Sequence, residues 1–292
     1  MSLSAAAIAS HPLLAASVRQ QASTLLSIHS INPRIASVFA TQQRWLLAHL
    51  ALAQYFHSLA SGAGAGLHAT SFTELAASRG VASRNTADAF LKEMQKYGYL
   101  RNAAPGPDRR KRPIEPARIA LDMIGAWLAT HLTTLDALDG GRRCAAFMAR
   151  PESIGAIHPL VAEGLLQSEA IRAPDPTFSL FTWLNEGGIV MDWLCAGLAE
   201  VAPGCERIPS TVTSFAELGE RINLSRSHLT RKLRRAEAMG SLGWFGERGK
   251  STMWVSAGFL GEYHTQQSAK LAIIEAAFQA VGVSEMAQSQ AV

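Results

Sequence analysis

Ser71-Phe72-Thr73-Glu74-Leu75 returns as Ser214-Phe215-Ala216-Glu217-Leu218, with four of the five positions identical at an offset of 143 residues. With one residue dropped from the second copy, Arg79 to Leu100 lies over Arg221 to Leu242. Six of those 22 positions coincide: Arg79/Arg221, Ser83/Ser225, Arg84/Arg226, Leu91/Leu233, Gly98/Gly240 and Leu100/Leu242. A repeat of such long period marks a duplicated structural unit. Each copy reads as two short helices joined by a turn and followed by a β-hairpin. The first helix-turn-helix covers about 71–100 with a wing over about 101–116; the second covers about 214–242 with a wing over about 243–255.

Working outward, 292 residues are enough for two domains, each with its own core. The expected halves are 1–140 and 141–292, and the expected fold is mainly α with small hairpin wings. Hydrophobic residues make up 48% and charged residues 17%, the balance of a packed globular chain. A net charge of +4 suits a polyanionic partner. Before Glu74 the charged side chains are Arg19, Arg34 and Arg44 alone, so the N-terminal helices are expected to be buried between the halves.

Cys144, Cys195 and Cys205 are odd in number and widely spaced. They form no CxxC pair, so a disulfide framework and a zinc site are both disfavoured, and free thiols are expected. The longest apolar run, Trp45 to Phe56, falls short of the roughly 20 residues of a membrane span. The N-terminus has no basic-then-apolar leader. A cytoplasmic protein without metal or cofactor is the expectation.

His11-Pro12 and His158-Pro159 open the two copies, and proline in a first helical turn is favourable because its missing N–H would have no intrahelical partner there. Both are expected to be helix starts. Long apolar helices should follow, near Ile35–Leu59 and Phe178–Val201, and again after each wing near Ala117–Leu138 and Ala257–Ala280. Ser61-Gly-Ala-Gly-Ala-Gly66 is a flexible connector, not a phosphate loop, since no lysine-bearing motif follows it.

In the second copy, Phe215 to Arg221 is the first helix and Ser225 the N-cap of the next. At 100° per residue, Leu229, Leu233 and Ala236 share the buried face. The opposite face carries Ser227, Arg231 and Arg234, flanked by His228 and Arg235, with Thr230 and Lys232 at its edges and Arg226 at the first turn. A helix so placed puts its N-terminal part into the major groove of DNA, where arginine makes bidentate contacts to guanine. Arg248 and Lys250 sit at the tip of the second wing, placed to meet the backbone. Trp244 and Trp254 are assigned to packing that hairpin on the helices.

The first copy offers different chemistry. Its helix begins at Ser83, buries Ala87, Leu91 and Met94, and turns Asn85, Ala89 and Lys92 outward, with Arg84 at the first turn and Thr86 and Glu93 beside them. Asparagine pairs well with adenine, but this face carries little charge. Its wing holds Arg109, Arg110, Lys111 and Arg112 in a row, a candidate phosphate contact.

The order of helices, helix-turn-helix, wing and long helix in both halves resembles the MarR family of bacterial winged-helix regulators. The best local match is Asp108-Arg109-Arg110-Lys111-Arg112-Pro113-Ile114-Glu115-Pro116, which looks like that family's basic wing leading into its C-terminal helix. Family members are homodimers joined by terminal helices, so the resemblance implies such a dimer fused into one chain, a pseudo-dimeric monomer open to higher assembly. It also implies a small-molecule effector site, for which Trp45, Trp127, Trp183 and Trp193 are lining candidates against the plainer reading of ordinary core.

Two function classes follow. One is a double-stranded DNA-binding transcription regulator. The other is a tandem winged-helix protein of replication or partition machinery, using its domains for protein–protein contacts. An enzyme is not expected: the chain holds no GxSxG, no HExxH and no dinucleotide fingerprint.

Overall fold

The computed structural model describes residues 3–31, 41–62, 66–104, 113–182, 187–200, 204–213 and 226–290, with backbone alone at 31, 226–228 and 283–290. It is mainly helical, with two small antiparallel sheets. The fold divides into two compact units. Unit 1 is Met1–Leu3, Gln43–Ser168 and Leu271–Val292; unit 2 is Ser4–Gln42 and Glu169–Lys270. Each of the sequence halves 1–140 and 141–292 therefore contributes to both units.

The chain opens with α1 (Ala5–Ala9) and α2 (Leu14–Ile31), both in unit 2. Pro12 lies in the turn just before α2, at the entry expected of it. Unit 1 begins in earnest with α3 (Gln42–Ala60) and α4 (Ala69–Ser78). Leu67 exchanges two backbone hydrogen bonds with Ile114, 2.7 and 2.8 Å. That approach needs Gly66, because a Cβ there would run into the side chain of Pro113.

Helix α5 (Arg84–Lys96) follows a five-residue turn. Ser83 caps it, its hydroxyl accepting the Thr86 N–H at 3.2 Å. Its buried residues are Ala87, Phe90, Leu91 and Met94, a stripe spaced at three and four that fits one helical face. Strands β1 (Leu100–Asn102) and β2 (Ile114–Pro116) then pair antiparallel, Arg101 opposite Glu115. Helix α6 (Arg118–Asp139) ends at Gly140, as the Asp139-Gly140-Gly141 stretch predicts, and α7 (Arg143–Ala149) and α8 (Ile154–Gln167) complete the run.

Pro159 is not a helix start. It sits inside α8, where it forfeits the bond to the Gly155 carbonyl. The initiating proline is Pro151, at the head of a short 3-10 turn that leads into α8. His158 is buried beside it and packs parallel to His49 of α3, ring planes 6° apart and His49 Nδ1 3.0 Å from His158 Nε2. Trp127 and His131 of α6 lie against the same cluster.

In unit 2, α9 (Glu169–Arg172) comes first; α10 (Pro176–Thr182) and α11 (Gly187–Ala196) cover much of the stretch near Phe178–Val201 expected to be helical, with residues 183–186 outside the described residues. The helical stretch ends early because Leu198 is already bridged to Ser210. Helix α11 packs on α2. Strand β3 (Arg207–Pro209), helix α12 (Arg226–Ala238), strands β4 (Leu242–Trp244) and β5 (Met253–Ser256) and helix α13 (Ala257–Gln290) follow, with sheet order β3-β5-β4. At 34 residues, α13 is roughly 50 Å long. Its residues to Lys270 count with unit 2 and those from Leu271 with unit 1.

The later part of α13 is tied into unit 1 by Arg143. This side chain is 8% exposed and reaches Asp136 at 3.1 Å, Asp139 at 2.6 Å and the fully buried Glu275 of α13 at 2.6 Å. In unit 2, Tyr263 of α13 donates to Asp192 of α11 at 2.7 Å, and burial pushes the Asp192 carboxyl up to about 6. The three cysteines are free thiols. Among the described residues no helix is long and apolar enough to cross a membrane.

Two outcomes are expected. Arg143→Ala leaves Glu275 charged, buried and unpaired, and should cost about 3–5 kcal/mol in urea denaturation; Arg143→Ala combined with Glu275→Leu should recover most of that loss. For His158, burial lowers the pKa from 6.5 to about 3. The unfolded chain therefore takes up this proton at higher pH than the folded one, and stability falls as pH drops from 6.5 toward about 3. The slope from this group approaches roughly 1.4 kcal/mol per pH unit, and His158→Leu should flatten the pH dependence of the unfolding free energy from urea denaturation by that amount.

Candidate nucleic-acid interface

The two helix-and-hairpin stretches close in the same way. Gly98 and Gly240, a matched pair of the repeat, have φ of 76° and 70°, a left-handed setting that glycine takes without strain. After each, the next N–H reaches back to the helix: Tyr99 to the Met94 carbonyl and Ser241 to the Ala236 carbonyl, both at 2.9 Å. Leu100 and Leu242 then enter β1 and β4, both buried. These shared closures set each hairpin against its own helix.

On α12 the buried residues are Leu229, Leu233 and Ala236, each with no exposed surface. One face committed to the core leaves the opposite one outside, and Arg231, Arg234 and Arg235 are exposed. Thr230 is half-buried at the edge. Lys232 turns away from that face, its Nζ 3.5 Å from the Leu180 carbonyl of α10. Burial, with Arg235 and Arg231 adding to it, lowers the Lys232 pKa. Arg226, Ser227 and His228 lie in the first turn of α12 by backbone position. Ser225 and the helix expected over Phe215–Arg221 fall outside the described residues, so the cap on α12 does too.

On α5 the outward residues are Arg84, Asn85, Thr86, Ala89 and Lys92, all exposed. Their charges are largely met at home. Lys92 pairs with Asp88 at 2.6 Å, Arg84 lies 3.9 Å from Glu74, and Glu93 is held by Arg44 of α3 at 2.9 Å. Three cations less two carboxylates leave α5 at +1, whereas five cations less one carboxylate leave α12 at +4 with histidine neutral. Arg109, Arg110, Lys111 and Arg112 of the first wing lie outside the described residues.

The sheet β3-β5-β4, which holds the strands expected for the second wing, has two distinct faces. Ile208, Leu242, Met253 and Val255 are buried on the inner one. Trp244, opposite Met253 in register, shares that side and donates its indole N–H to Glu237 of α12 at 2.8 Å. Trp254 lies on the other side, contrary to its expected packing against the helices. It covers Gly243, where a Cβ would run into the indole, and carries the Arg207 guanidinium 4.9 Å from its ring centroid. Strand alternation decides this: the neighbours Met253 and Val255 take the inward positions, and Trp254 must point away.

Arg248 is not extended toward solvent as a tip residue would be. Its Nε and a terminal nitrogen bind the Glu237 carboxylate at 3.0 and 2.8 Å. Lys250 pairs with Glu247 at 2.7 Å, both well exposed, an ion pair of little energetic weight. Sequence reading placed both residues in the wing but missed Glu237, whose only signal was its standing as the one acid of a basic helix. Among the described residues no group of His, Cys, Asp or Glu could hold a metal ion.

Comparison with protein-family models, with curated proteins and with solved structures finds no match to this chain.

Proposed function

We propose that the chain is a double-stranded DNA-binding transcription regulator of the winged helix-turn-helix kind, internally duplicated, with α12 as its main reading helix. The observation that carries this reading is the exposed row Arg231, Arg234 and Arg235 on a helix whose other face is wholly buried. A free surface helix has no need to segregate its cations so sharply. A helix that lies in a groove does, because phosphates flank it on both sides and guanine edges lie between them. The wing supplies Arg207, Arg248 and Lys250 near the same helix or on its sheet. In this reading α5 contributes through Asn85 and Thr86, and much less through charge. The element order read from the sequence resembles that of the MarR regulators, which suits the same reading without being independent of it. Trp45 and Trp127 of the expected effector site are packed around His49, which favours core over a ligand site; Trp183 lies outside the described residues.

The test is a salt titration of duplex binding. Arg231→Ala with Arg234→Ala should weaken binding and lower the slope of log K against log salt by about 0.9 for each phosphate that the variant no longer neutralises. A folded double mutant with unchanged affinity and slope would move the interface off α12.

A further inference from the structure

We propose that Glu237 is the positioning residue of the second wing: it locks the wing to the reading helix before any partner arrives, so that α12 and the wing form one preset cationic surface. The proposal rests on the DNA-binding reading above. One carboxylate takes two hydrogen bonds and a further ion-pair contact from the wing. Its Oε1 accepts the Trp244 Nε1–H at 2.8 Å and the Arg248 Nε–H at 3.0 Å, and Oε2 lies 2.8 Å from a terminal Arg248 nitrogen. The arginine thus meets both carboxylate oxygens, a two-pronged arrangement that fixes orientation as well as distance. The Glu237 side chain is 21% exposed, so this pair is screened less than the Lys250–Glu247 pair at the tip.

The residue's placement makes the proposal more than a surface ion pair. Glu237 is the sole acid in α12, on a helix otherwise at five cations. An acid near a polyanion weakens binding by simple charge repulsion. Its presence there is explained if the order it imposes outweighs that repulsion. The hairpin itself is short: β4 has three residues and β5 four, and beyond Phe245 the chain turns through Gly246 and Gly249. β3 pairs with β5 over Trp254–Ser256, so toward its turn the hairpin runs on as two strands alone, and a two-stranded piece of this length holds no fixed setting by itself. The inner-face residues seat the base of the wing, and the Glu237 links seat its outer half.

Charge and position predict opposite signs, which makes the test decisive. Glu237→Ala removes a negative charge from the interface. If Glu237 acts only through charge, the variant binds every duplex more tightly. If it positions the wing, affinity for the duplex that the wild-type chain selects from a random pool falls roughly tenfold, while affinity for a random-sequence duplex of equal length holds or rises. Trp244→Phe removes one link with no change in charge and should weaken the selected duplex alone, by a smaller factor. In both variants the melting temperature shows whether the chain is folded. The Trp244 indole N–H resonance, assigned by its loss in Trp244→Phe, should exchange with water faster in Glu237→Ala. Selected-duplex binding as tight as wild type in folded Glu237→Ala, or unchanged indole exchange, overturns the proposal. If the wild-type chain selects no duplex, the DNA-binding reading fails, and the exchange rate alone then decides whether Glu237 holds the wing.

Discussion

A helix of a dozen residues that buries a leucine stripe has no freedom left in how it presents its other side. Leu229, Leu233 and Ala236 are sealed, so the rotation of α12 about its axis is set, and with it the direction of Arg231, Arg234 and Arg235. The same constraint acts on α5 through Ala87, Phe90, Leu91 and Met94. Glycines at 98 and 240 then stop both helices at the same phase, and buried Leu100 and Leu242 start the hairpins. The outward side of each helix is thus a consequence of core packing, and the difference between the two is a difference in which residues occupy equivalent outward positions.

That difference is chiefly electrostatic. The outward side of α5 is offset by Lys92–Asp88 within the helix and by the loose approach of Arg84 to Glu74 of α4, whereas α12 concentrates its cations. Both helices keep a buried stripe at the same spacing, and they differ in the charge of the side left outside. Pairing within α5 is exposed and worth little as stability; its effect is to lower the field that a phosphate backbone would meet.

Much of this was legible in the sequence, and the reason is locality. The buried stripes, the Ser83 cap, the stop at Gly140 and the strands around Gly246–Gly249 all follow from residues within a few positions of one another, whereas Gly98 and Gly240 were legible only as matched positions of the repeat. What escaped reading depends on distant partners or on competition between equivalent signals. Pro159 looked like a helix start because Pro151, eight residues earlier, does that work through a 3-10 turn. The Arg143–Glu275 link spans 132 residues and the His49–His158 pair spans 109, and neither has a local signature. The non-contiguous units follow from the packing of α2 on α11 and from the length of α13 and the links its later part makes, which periodicity does not reveal. In the site, Glu237 and Arg248 lie 11 apart across a turn, and only the folded hairpin brings them together.

If α12 is the main reading helix and α5 a second, chemically different surface, selection of bound sites from random duplex DNA by the full chain should enrich an asymmetric site: a guanine-containing half matched to Arg231 and Arg234, and a weaker half leaning to A·T opposite Asn85. A strong inverted repeat of two equal halves would contradict the asymmetry and imply that two chains bind through their α12 helices. No enrichment over the starting pool, with binding that sodium chloride abolishes regardless of sequence, would contradict the claim of a sequence-reading helix altogether.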